Sequence, residues 1–144
     1  MIKKLASYIK EYKKASILTP VFVILEVVME VIIPMLMSKI IDVGIPNKDI
    51  KYILEIGILL TISAIMSLVF GMLSGRFAAK ASSGFAKNLR QGMFYKIQEF
   101  SFEDIDKFST SSLITRLTTD VTNVQMAFMM IIRILVRGPV MLIA

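Results

Sequence analysis

The side chains of this sequence that could do chemistry are few, and their types exclude most catalysis. Its 144 residues contain no cysteine and no histidine, which removes thiol nucleophiles, disulfides, thiolate metal sites and the usual acid–base catalyst together. What remains is carboxylates and cations in unusual company. Glu26 and Glu30 stand four apart inside an apolar stretch from Ile17 to Ile41, which also holds Pro34 and Lys39. That spacing puts both carboxylates on one helix face. A charged side chain facing lipid at mid-span costs about 2.5–3.5 kcal/mol, so the pair must face protein or a wet cavity. The readings that stay open are that the pair lines a transport pathway and attracts a cationic substrate, that it pairs with polar groups on spans beyond this sequence, or that it lies on the aqueous side of the bundle. Arg116 and Asp120 are likewise four apart. They suit either a surface ion pair of about 0.3–0.5 kcal/mol or a role in fixing a joint that switches.

The elements that must position these residues are membrane helices. Hydrophobic residues make up 56% of the chain and the mean hydropathy is +0.72, more apolar than a soluble domain of this size can bury. Ile56–Gly75 is an uncharged run bounded by Glu55 and Arg76, long enough to cross a hydrocarbon core of about 30 Å. The stretch through Glu26 and Glu30 is a second span. Gly44, Pro46 and Asn47 mark a turn between them, over Asp42–Lys51. The segment 1–14 reads as a basic juxtamembrane helix, since it lacks a cleavage signature.

The second helix outruns the membrane. Phe77, Ala81, Phe85, Leu89, Met93 and Ile97 recur every four residues beyond the apolar run, with Arg76, Lys80, Lys87, Arg90 and Lys96 on the other faces. A helix from about Tyr52 to Phe100 would be roughly 70 Å long. Five lysines precede the first span, five basic residues follow the second, and the connecting turn carries few. The positive-inside rule therefore puts both flanks, and the N-terminus, in the cytoplasm. The net charge of +6 lies beside apolar runs, so its partner is anionic lipid and not nucleic acid.

Ser101 begins an elbow. Ser-Phe-Glu-Asp has capping-box spacing with Asp104 at its end, and a short acidic helix is expected over Phe102–Phe108. Beyond a polar joint at Ser109–Ser112, Leu113, Leu117, Val121, Val124, Phe128, Ile131 and Leu135 follow at coiled-coil-like steps of three and four. Their partner is the extension of the second helix, running antiparallel about an elbow near Ile105. By this count Arg133 and Arg137 lie level with Arg76 and Lys80, and all four read as anchors at the inner headgroups. A third span then begins near Gly138 and is cut short at Ala144, which reads as a fragment. Eleven methionines fit either lipid-facing surface or an adaptable binding surface. Pro34 is expected to kink the first span.

Two overlong helices joined by an acidic elbow resemble the exporter-type membrane domain of ABC transporters, of the multidrug, lipid or peptide branch. The stretch FSFEDIDKFSTSSLITRLTTDVTNVQ is similar to that family's first intracellular loop, with the match carried by Phe102, Thr110, Leu113, Arg116, Leu117, Thr118, Asp120 and Val121. IIDVGIPNKDI is similar to the end of its first span and outer loop. Ser111-Ser112 stands where the family has Gly-Glu, which alters that turn.

The resemblance implies an all-α, polytopic membrane domain that works as a homo- or heterodimer of two transmembrane halves. It implies ATP-driven export across a cell membrane, with Phe102, Glu103, Asp106 and Phe108 coupling the spans to a nucleotide-binding domain; the absence of cysteine and the abundance of Ile and Lys point to a bacterial source. ATP and Mg would be bound in that domain; this chain contains no phosphate-binding loop of the form G-x-x-x-x-G-K-[ST], so no cofactor site or catalytic activity is expected of it. The rival reading is a non-transporting membrane sensor or scaffold that dimerises through the helical hairpin.

Overall fold

The structure is a computed structural model that describes residues 7–99 and 110–143. Among these the chain is helical and forms three long rods. Helix α1, Lys13–Lys39, is rich in Ile, Val, Leu and Met and continues through Pro20 and Pro34. A proline deletes one backbone donor, a loss that membrane helices tolerate where neighbouring groups satisfy the freed carbonyl. The winding then widens to a π turn over Ile40–Gly44, closed by Ile45 N donating to the Ile40 carbonyl at 3.0 Å. Gly44 lies directly against the Ile53 side chain, which leaves no room for a Cβ. Lys48 takes a left-handed φ of 52°. Asp49 accepts from Tyr52 N at 3.1 Å and caps the next helix. The connection is therefore tighter than the Asp42–Lys51 loop expected from composition, because helical winding persists to Gly44 and resumes at Ile50.

Helix α2, Ile50–Gln98, has 49 residues and is about 70 Å long. Its two halves differ in what they bury. Along the uncharged run Leu54, Ile58, Ile62, Ile65, Leu68 and Met72 are exposed, the pattern of a surface solvated by lipid. Beyond Gly75 the helix buries Ala78, Ala81, Ser82, Phe85, Ala86, Asn88 and Leu89, while Arg76, Lys80, Lys87, Arg90 and Lys96 point outward. The four-residue repeat seen in the sequence is the buried face. Helix α1 packs along α2, contributing buried Ala15, Thr19, Val23 and Val27 opposite the small residues Ser74, Ala78, Ala81 and Ser82. Small side chains let two backbones approach closely where no hydrophobic effect drives them together. Phe22 lies between Phe70 and Phe77, stacked on the latter at 5.5 Å.

The N-terminal segment does not lie free beside the membrane. Ser7–Tyr12 forms a 3-10 turn with a kink at Lys10 and packs along the far half of α2. The Tyr12 ring covers Gly84 and the Tyr8 ring covers Gly92, each in the space a Cβ would fill. Asn88 Nδ2 donates to the Tyr8 carbonyl at 2.8 Å. Tyr8 and Ile9 thereby extend the core formed by Phe85, Ala86, Leu89 and Val121.

The third rod comprises α3, Thr110–Thr115, a π turn over Arg116–Asp120, and α4, Val121–Ile143. It returns antiparallel along α2. Arg90 Nε donates to the Leu117 carbonyl at 3.1 Å, Gln125 Nε2 to Ser83 Oγ at 3.4 Å, and Phe85 stacks on Phe128 at 4.7 Å. These pairs are spaced about equally on either side of the expected elbow. Leu113 and Val121 are buried, and Leu117 and Phe128 half-buried, as the repeat requires. Val124, Ile131 and Leu135 instead face outward, and contact passes through Gln125, Met129, Ile132 and Val136. The contact line follows the 3.6-residue winding of an α-helix, which drifts off a repeat averaging 3.5 residues as the helix lengthens.

Candidate functional site

The charged residues of the spans meet in one place. Glu26 follows buried Val23 and precedes buried Val27, so helical geometry turns its carboxylate from the α1–α2 seam toward α4. Its Oε2 accepts from Ser74 Oγ at 3.4 Å, and its Oε1 lies 3.0 Å from where a Cβ on Gly71 would stand. Glycine at that position makes room for the carboxylate. One turn further along α1, Glu30 projects from the same face.

Arg137 of α4 joins the two acids. Its Nη1 donates to Glu26 Oε1 at 3.3 Å, and its Nη2 is shared between both oxygens of Glu30, at 2.9 Å each. The Glu26 side chain is only 12% exposed, Glu30 27% and Arg137 40%. Two carboxylates on one guanidinium leave an excess negative charge. Arg133, one turn before Arg137, shares two cavity walls with Glu26 and offsets that charge. Arg133 lines a cavity of about 260 Å³ with Val23, Glu26, Met129, Met130, Ile134 and Arg137. It also lines a second hollow of about 500 Å³, with Glu26, Gly71 and Met72 among the other walls. The four charges form a near-neutral unit in which each acid has a cation within its own wall. Such pairing is what makes ionised groups tolerable in a span.

This geometry corrects the reading of Arg137 as a headgroup anchor. Glu26 touches Gly71 and Ser74, inside the uncharged run that ends at Gly75, and Arg137 shares its level. Two carboxylates within reach solvate the guanidinium better than an extended side chain reaching for headgroups. Arg76 and Lys80 are exposed on α2, as anchors would be. The partner of Glu26 and Glu30 therefore sits on a span of this chain. The signal that could have found it is the matching four-residue spacing of Glu26/Glu30 and Arg133/Arg137.

Arg116 and Asp120 occupy the two ends of the π turn, both exposed, beside the Arg90–Leu117 hydrogen bond that ties this turn to α2. Lys87, Arg90, Gln91, Phe94, Leu117 and Thr118 surround a hollow of about 650 Å³ there. Phe102, Glu103, Asp106 and Phe108 lie outside the described residues. Among the described residues no cluster of acidic side chains could hold a metal ion, and three rods are long and apolar enough to cross a membrane. The arrangement can bind charge and fix helices against one another.

Comparison with known proteins agrees with this architecture. The family model for the ABC transporter transmembrane region matches residues 16–144. An uncharacterized ABC transporter ATP-binding protein of Bacillus subtilis, YfiB, is 36% identical over 98% of this chain and 25% of its own length. An uncharacterized ABC transporter ATP-binding protein of Mycobacterium tuberculosis is 22% identical over 98% of the chain and 24% of its own length. The ATP-dependent lipid A-core flippase of Albidiferax ferrireducens is 28% identical over 84% of the chain and 21% of its own length. The chain thus spans about a quarter of the length of the curated relatives it matches.

Proposed function

Because the chain belongs to the ABC transporter transmembrane-region family, we propose that it supplies the first spans of the translocation pathway of an ATP-driven exporter, together with the loop that couples them to ATP hydrolysis. The N-terminus and the α2–α3 elbow lie on the cytoplasmic side, by the distribution of lysine and arginine. Phe102, Glu103, Asp106 and Phe108 dock on a nucleotide-binding domain, with Phe102 as the buried anchor. Arg116 and Asp120 steady the joint behind them. A second transmembrane half, of the same or another chain, completes the pathway, and ATP with Mg is bound by the nucleotide-binding domains. Export of amphipathic, drug-like compounds is the transport class that fits a methionine-rich wall around a charged cluster.

The observation that carries this reading is the rod-like α2, which continues without interruption from the lipid-exposed run through the packed hairpin toward the elbow. A continuous helix transmits displacement at its far end to the spans, where a loop would absorb it. Glu26 and Glu30 border the pathway in this reading, and Arg137 holds them in place between substrates.

The test is a photo-crosslinking amino acid placed at Phe102 in the intact membrane protein. Crosslinked peptides mapping to a nucleotide-binding domain support the reading. Adducts confined to lipid or to the chain's own helices would refute it.

A further inference from the structure

The charged cluster is built as a repeat. On α1 the acids stand one turn apart at Glu26 and Glu30; on α4 the guanidiniums stand one turn apart at Arg133 and Arg137. The two helices run in the same direction, since Val23 faces the level of Met130 and Ile134 while Glu30 faces Arg137. Arg137 takes both acids. Arg133 makes no ion pair among the described residues, yet shares a cavity wall with Glu26. One cation is engaged and its equivalent, one turn behind, waits beside the same carboxylate.

We propose that Glu26, Glu30, Arg133 and Arg137 form an ion ladder with two registers, which lets α4 slide by one helical turn along α1 while keeping the acids paired. In the register seen here Arg137 spans Glu26 and Glu30. Advancing α4 by one turn, about 5.4 Å, brings Arg133 to the position that Arg137 leaves. Like replaces like, so neither carboxylate is stranded in the apolar zone at either end of the movement. A single Arg–Glu pair could not do this, because any slide would break it and expose two charges at once.

The surroundings suit a slide. Beside the ladder on α4 stand Met129 and Met130, unbranched side chains that repack without a fixed interlock, with β-branched Ile134 as the stiff neighbour. The cavity of about 260 Å³ between Arg133 and Glu26 is space into which the waiting guanidinium can move. The π turn at Arg116–Asp120 lies between α4 and the elbow; its extra residue absorbs about 1.5 Å of rise, and the rest of the slide exchanges the contacts of α4 with α2, the Phe85–Phe128 stack among them. The inference rests on these ion pairs and their spacing and holds whether or not Glu26 meets substrate.

Oxidative cross-linking in membranes tests it, on the intact protein with any cysteines outside this chain replaced and with no nucleotide or substrate added. Val23→Cys is paired in one version with Ile134→Cys and in another with Met130→Cys, one turn earlier on α4. Arg137→Met should raise the 23–130 yield at the expense of 23–134 by several-fold, as Arg133 takes over the acids. Arg133→Met and Arg137→Lys should each keep the original ratio. If Arg137→Met does not accumulate, Arg137→Gln, which keeps a polar side chain without the charge, should shift the ratio the same way. An unchanged ratio, or a fall in both yields, in whichever of the two variants accumulates overturns the proposal.

Discussion

Phe85 of α2 and Phe128 of α4 stack with ring centroids 4.7 Å apart, where the hairpin leaves the apolar zone and begins its run toward the elbow. Phe85 is almost fully buried, and Val121 one step nearer the elbow is 1% exposed. The two contacts tie α4 to α2 at this level. Truncating a buried phenylalanine typically costs about 3–5 kcal/mol; with Phe128 only half-covered, Phe85→Ala should cost about 3 kcal/mol, the lower end of that scale. We expect a lower melting temperature of the detergent-solubilised protein and, more tellingly, ATP hydrolysis that no longer responds to transport substrate. A variant that melts early but keeps full stimulation would separate stability from coupling and count against a lever role.

Gly84 and Gly92 are required by the rings of Tyr12 and Tyr8 that lie on them. A Cβ at Gly84 would have to displace the aromatic ring itself, since Cγ and both Cδ atoms of Tyr12 crowd that point. Gly84→Val should therefore release Ser7–Tyr12 from α2, while the rest of the hairpin, which packs through Phe85 and Leu89, persists. Hydrogen exchange over residues 7–12 should rise by at least tenfold, with little change across 121–135. Gly75→Val, where no side chain approaches, is the control and should leave both regions unchanged.

How much of this was readable beforehand follows from the period of the pattern. The every-fourth-residue series of Ala81, Phe85 and Leu89 named the buried face of α2 correctly, because one long straight helix keeps its phase. The same reasoning failed on α4 for Val124, Ile131 and Leu135, since contact there follows 3.6-residue winding through Gln125, Met129, Ile132 and Val136 and drifts off a repeat averaging 3.5 residues. Glu26 and Glu30 were legible as charges needing a partner; that the partner is Arg137 was not, because ion pairs between helices depend on a helix-to-helix depth that the chain reveals only through its elbow. The packing of Tyr8 and Tyr12 on two glycines was invisible for the same reason, as each tyrosine by itself reads as an interfacial residue.

Arg137 is the single cation that contacts both Glu26 and Glu30 among the described residues, so its removal should be felt at both. Arg137→Met leaves Arg133 to take over the acids, and the net loss should stay below the roughly 2–3 kcal/mol of an ionised group deprived of its hydrogen-bonded partner. Glu30→Arg combined with Arg137→Glu should recover most of the thermal stability of the intact protein, since the pair is remade with its direction reversed. Failure of the double exchange to improve on either single change would mean the cluster is held by its surroundings and not by the pair.

Lys96 and Glu99 offer the opposite case, and here the direction of the pKa shift sets the expectation. Lys96 Nζ lies 2.7 Å from Glu99 Oε2 with both side chains well exposed, and the hydrogen bond to Glu99, aided by its negative charge, raises the lysine above its usual value of 10.5. A raised pKa means that the contribution of Lys96 is fully present below the ordinary lysine range and disappears only as pH climbs past the raised value. Between pH 6 and 9 the lysine should therefore add no pH dependence to stability. Solvent and salt screen the pair as well, so Lys96→Met should leave the melting temperature unchanged within error at physiological ionic strength. A clear drop at low salt that vanishes at high salt would show the pair contributing through its charge; a drop that persists in high salt would instead assign Lys96 a packing role through its aliphatic stem, against the exposed geometry seen here.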